Sequence, residues 1–200
     1  SDGFHLWSEN YDRDIADMIE IQEDLAKSIA EALETTMDPA ALAEMTRVGT
    51  RSVEAYQAYI RGVAAYLESY AGDSTDSGST LIRGYEYFEN AREIDPDFAK
   101  AHLNAALFWK FQLSPIRMDS GLTQVAPLEM LAEFNSRIDQ AIATASTALD
   151  NKAYQGQKAL VELRLRDAIR LFREYTNERP NDQQAWLALN DVAGLASENE

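Results

Sequence analysis

The sequence contains no cysteine. That excludes disulfide frameworks, thiolate metal sites and cysteine nucleophiles, and it assigns no compartment. Proline and glycine are scarce, at five and nine residues. Few positions therefore interrupt a chain dominated by Ala, Leu, Glu, Gln and Arg, residues that lose little freedom in a helix. No apolar stretch approaches the roughly 18–20 residues that span a bilayer, and no signal-peptide pattern opens the chain. Basic residues are also few. Eighteen stand against 34 acids, a formal net charge of −16. Such a surface repels phosphate backbones and anionic lipid, which argues against nucleic-acid binding and membrane-surface binding.

Two hundred residues, 46% of them apolar, can bury a substantial core. The charge is uneven: residues 1–38 hold eleven acids against Arg13 and Lys27. The opening Ser1-Asp2-Gly3 and the closing Ser-Glu-Asn-Glu both read as cuts through a longer protein.

Phe4 to Trp7 alternates weakly, as a short edge strand would. Met18, Ile21, Leu25, Ile29 and Leu33 then recur at helical spacing, predicting a helix over 14–34. Asp38-Pro39 opens a short helix over 40–47, which Gly49 breaks. Helices are expected over 53–70, 80–94, 98–112, 128–149, 152–163, 166–178 and 183–197. A polar loop, 71–79, and an irregular stretch from Ser114 to Pro127 interrupt them.

A repeat of about 34 residues underlies these helices, with small residues at positions 8 and 20, an aromatic at 24, Ala at 27 and Pro at 32. Gly62, Gly84, Phe88, Ala91 and Pro96 fit that register once the polar loop is counted as an insertion. His102, Ala106 and Trp109 begin a second unit, whose second helix is expected to carry Ala141, Ala145, Ala148 and Ala153 after an insertion over 113–135. Ala168, Phe172, Tyr175 and Pro180 repeat the pattern, and Trp186, Leu189 and Ala193 start a further first helix.

The spacing resembles the tetratricopeptide repeat. The opening Phe4 to Asp14, with Ile21-Gln22-Glu23-Asp24 and Ile29 to Leu33, resembles the end of the TolB-like region that precedes such repeats in bacterial multidomain signalling proteins. Tyr59 to Gly62, Ile94 to Asp97 and Ala101-His102 resemble the first repeat of those proteins. The resemblance implies an all-α chain: a right-handed superhelix of antiparallel helix pairs over 51–200, preceded by a junction and capping helix over 1–50. It implies a sensing or docking half whose output, an adenylate cyclase or a winged-helix regulator, lies elsewhere. Part of a cyclase needed for its activity, or a structural dimerisation module forming a homodimer, are the alternatives.

Catalytic chemistry has little to stand on. His5 and His102 are the only histidines, and His102 falls at a repeat core position. No phosphate loop, HExxH or GxSxG pattern is present, so no catalytic, cofactor or metal residue is assigned. Asp73, Thr75 and Asp76 lack the alternation and closing Glu of a calcium loop. Arg166, Arg170 and Arg173 form a stripe that reads as solvated and paired with Glu162, Asp167 and Glu174.

Tyr56, Tyr59, Val63, Tyr66 and Tyr70 make one stripe along a first helix, on the side that lines the concave groove of such repeats. Asn104, Leu107 and Lys110 continue it. Tyrosine combines apolar area with a hydrogen-bonding tip, which suits peptide capture. Tyr56, Tyr59, Tyr66, Asn104 and Lys110 are therefore the candidate groove for a protein or peptide partner. The stripe would serve equally to cover the helix over 14–34. Repeats that grip a C-terminal carboxylate use Lys, Arg and Asn at equivalent places; here the third unit offers Asp150 and Tyr154 instead.

Overall fold

The computed structural model describes residues 39–71, 77–113 and 125–197, and all regular structure among them is helical. The helices are α1 (Pro39–Val48), α2 (Val53–Ala71), α3 (Ser77–Ile94), α4 (Ala99–Gln112), α5 (Pro127–Ala143), α6 (Ala148–Val161), α7 (Leu165–Glu178) and α8 (Gln183–Ser197). The strand expected over Phe4 to Trp7 and the helix over 14–34 lie outside the described residues.

Each helix from α2 onward packs on the next, and α6 also touches α8. Small residues set the closest approaches. A Cβ built on Gly84 would meet the Gly62 carbonyl at 3.3 Å, so α2 and α3 cross backbone to backbone there. Glu68 pairs with Arg83 near one end of that crossing and Tyr59 meets the Phe88 ring at 5.8 Å near the other, an antiparallel register. Lys152 pairs with Glu174, and Gly156 lies against the Phe172 ring, so α6 and α7 run antiparallel too.

Three apolar clusters fill the interior. Met45 and Val48 of α1 pack with Tyr56, Ala58, Ala91 and Phe98. Phe108, Trp109, Met130, Phe134 and Ile138 hold α4 to α5. Phe172, Ala188, Leu189 and Val192 hold α7 to α8. Polar ties join successive pairs. Arg137 of α5 places a two-pronged guanidinium on Glu89 of α3, at 3.0 and 3.1 Å, and donates to the Tyr85 hydroxyl at 3.1 Å. Thr50 donates to Asp95 at 2.5 Å, tying the turn before α2 to the turn after α3.

One boundary differs from the expectation of helices over 128–149 and 152–163. The chain leaves α5 at Thr144 and enters α6 at Ala148. Thr147 accepts the Asp150 N–H at 3.0 Å, and Asn151 Nδ2 donates to the Ile142 carbonyl at 2.8 Å. These side chains satisfy helix-end backbone groups that alanines cannot. The second helix of the second unit is therefore α5, with Phe134, Ile138 and Ala141 buried. Ala145 lies in the turn, and Ala148 and Ala153 belong to α6. α6, the first helix of the third unit, is a full helix of 14 residues.

The turn from α6 to α7 is closed by Leu163 N–H to Leu160 O at 3.1 Å and Arg164 N–H to Ala159 O at 2.8 Å. Leu163 adopts φ +58°, in the left-handed region, with its side chain in solvent.

Candidate functional site

Alternate helices contribute one wall of a groove holding about 290 Å³ of space. Tyr59 and Tyr66 come from α2, Leu103 and Asn104 from α4, and Tyr154 and Gln157 from α6. Arg47, Lys100, Asp150, Arg179 and Asp182 supply charge along its length. Side chains spaced three and four apart share a helix face, which is why the stripe on α2 and its counterparts converge here.

Tyr59 sits deepest. Its ring meets Phe98 at 5.0 Å and Phe88 at 5.8 Å, and its hydroxyl is hydrogen-bonded by the Asn104 side chain. Burial pushes the phenol up to about 12, despite that hydrogen bond, so it stays a neutral donor. Asn104 also donates to the Lys100 carbonyl at 2.8 Å. On α6, burial and then the Asp150 charge push the Tyr154 phenol up, with Tyr59 and Tyr175 also in electrostatic reach. Tyr175 is pushed up to about 12, first by burial and then by Asp182, which accepts its hydroxyl at 2.8 Å.

The candidate residues divide. Tyr59, Tyr66 and Asn104 line the groove. Tyr56 does not: it is 8% exposed, turned into the cluster with Met45 and Val48. Lys110 reaches past the rim to Gln157 of α6 at 2.8 Å, joining two first helices. Of Tyr70 the side chain lies outside the described residues, as does any packing of the stripe on 14–34. Arg47, Tyr175, Arg179 and Asp182 had no place in the sequence-level groove. Pro180 is the signal that could have found the last two, since it marks a turn opening onto the first-helix side.

His102 is buried, with Nε2–H donating to the Pro96 carbonyl at 2.8 Å and Nδ1 lacking a partner. That is a packed core histidine. Among the described residues no cluster of three metal-ligating side chains occurs. No described helix is long and apolar enough to cross a membrane. In the basic stripe, Arg170 pairs with Asp167 and Glu174, while Glu162 is engaged by Arg164.

The described residues form packed helix pairs, all of their regular structure helical, with an aromatic groove across alternate helices. No family model matches the chain, and no solved structure matches it. It is distantly related to a Rhizobium meliloti (strain 1021) protein named "Putative adenylate cyclase 3", at 30% identity over 105 residues. The match covers 52% of this chain and 17% of that protein, so the chain spans only a small part of its relative's length.

Proposed function

We propose that this chain is a non-catalytic tetratricopeptide-type binding module that takes an extended peptide segment into its groove. Residues 1–50 form a junction and capping segment, and 51–200 wind as a right-handed superhelix of helix pairs. The module is the sensing or docking half of a bacterial signalling protein. One observation carries the reading: Tyr59, Tyr66, Asn104 and Tyr154, from three successive first helices, face one groove. Aromatic side chains with polar tips in a half-enclosed groove are the usual anchors of peptide recognition.

Panning a display library of random dodecapeptides against the chain tests this. Binders should emerge, and Tyr66→Ala should weaken them about tenfold or more, as truncating a central anchor does. Tyr59→Phe, which removes only the hydroxyl, should weaken them less and leave the helical spectrum unchanged. Tyr59→Ala is the poorer probe, because the ring also packs on Phe88 and Phe98. A library that yields no binder sinks the reading.

The distant relative's name favours a second reading, that the stretch serves a cyclase as part of its active assembly. Both readings expect no turnover of ATP or GTP by this chain alone with magnesium or manganese. They separate in the parent protein, where deleting 51–200 abolishes cyclase activity only under the second.

A further inference from the structure

The α6–α8 end of the groove differs chemically from the rest. Asp150 is 8% exposed, and its Oδ2 accepts the Thr147 hydroxyl at 2.7 Å. Its Oδ1 stands 3.6 Å from Nη1 of Arg179, an ion pair too long to be a hydrogen bond. Asp182 accepts the Tyr175 hydroxyl on Oδ2 and the Ala185 N–H on Oδ1 at 3.1 Å. The Arg179 guanidinium carbon lies 5.6 Å from the centre of the Tyr175 ring, and 43% of its side chain is exposed. Arg179 is therefore paired with Asp150 alone, while Asp182 is occupied by Tyr175 and the Ala185 N–H. That cation is held by a ring face and a stretched ion pair, with neither of the short, forked contacts an arginine can make.

We propose that this end of the groove is a subsite for a basic side chain of an extended peptide, arginine before lysine, and that Arg179 is its displaceable placeholder. The inference rests on the groove being a peptide-binding surface. Its basis is charge complementarity: a buried carboxylate with an unused lone pair, and a second carboxylate, Asp182, lining the same groove with the rings of Tyr154 and Tyr175. A guanidinium is planar, weakly hydrated and stacks on rings, so it suits this site better than an ammonium. The chain's net charge of −16 draws a basic segment toward it before any contact forms. Arg179 already displays the geometry the guest would take. It is anchored in the turn before α8, so it can swing out without unravelling a helix.

The same random dodecapeptide library tests this separately from the groove itself. Binders to the parent chain should share a basic residue at one position, with arginine predominating. Asp150→Asn keeps the side-chain shape and should erase that preference, weakening arginine-bearing peptides about tenfold or more, as loss of one partner of a desolvated pair does. Arg179→Ala empties the subsite and should tighten the same peptides several-fold. Glu93→Gln, an exposed acid on α3, should change neither, which separates the subsite from general attraction to an acidic protein. Binders with no basic position, or Arg179→Ala weakening them, overturn the subsite and leave the groove standing. A library with no binder at all removes both. Should Asp150→Asn fail to fold, the Arg179→Ala arm decides alone.

Discussion

Gly62 lies against the Phe88 ring so closely that a Cβ there would stand 2.6 Å from Cε1, and Gly156 bears the same relation to Phe172 at 2.9 Å. Each glycine is on a first helix and each phenylalanine on the second helix of the same pair. The two pairs are one packing solution used twice.

Adding a methyl group at either glycine forces the ring or the helix to move. Gly62→Ala and Gly156→Ala should each lower stability by about 1–3 kcal/mol, the ordinary cost of overpacking. Gly84→Leu should do the same, since its Cβ would already press on the Gly62 backbone at 3.3 Å. Urea unfolding measures this. Combining Gly62→Ala with Phe88→Leu should recover part of the loss, because the two sites share one space. Parent-like melting of both glycine variants would mean that the rings do not seat there.

Arg137 and Glu89 join the first helix pair to the second across half-buried surface, their side chains 14% and 17% exposed. Burial pushes the Glu89 carboxyl up, but hydrogen bonds from Arg92 and Arg137 outweigh it and hold it below its ordinary value. Arg137→Met should therefore cost about 1–3 kcal/mol, because the half-buried Glu89 carboxylate keeps Arg92 but loses its two-pronged partner across the helix pairs. Arg137→Lys should not restore it, because an ammonium cannot span both oxygens and Tyr85 together. Equal stability of the arginine and lysine forms in urea would show that the fork is immaterial.

Burial holds the His102 imidazole below its ordinary value; the Pro96 carbonyl opposes this, while Arg92 reinforces it. The folded protein therefore favours the neutral ring. Its contribution is present above the unfolded value of 6.5 and is lost as pH falls below it. The urea midpoint should drop between pH 7.5 and 5.5, and His102→Gln should flatten that slope. The Glu89 contribution is lost at lower pH, below the ordinary 4.5, so the two can be told apart. A parent midpoint constant from pH 7.5 to 5.5 would contradict the burial of a neutral ring.

Much of this architecture is legible in the residues themselves. Pro180 and the polar residues beside it mark the end of α7, and the register of Ala168, Phe172 and Tyr175 places that helix against α6. The boundary between α5 and α6 is not legible. Four alanines from Ala141 to Ala148 favour continuing the helix, and the break depends on Thr147 and Asn151 satisfying backbone groups a few residues away. The tyrosine stripe gives the direction of the groove but misplaces Tyr56. That ring turns inward because α1 brings Met45 and Val48 over it, a contact no periodicity within α2 contains. Arg179 and Asp182 escaped notice because turn residues carry no face to read.

Leu163 combines two local disadvantages, a left-handed backbone at φ +58° and an apolar side chain 75% exposed. The residue does not ask for this reversal of the chain; the faces of α6 and α7 impose it. In kinetic terms the strain enters at whichever step closes this link. Leu163→Gly should then raise stability by about 1 kcal/mol, since glycine enters the left-handed region without the Cβ clash. Its main effect should be on the folding rate only if the link closes before the rate-limiting step, and on the unfolding rate if it closes after.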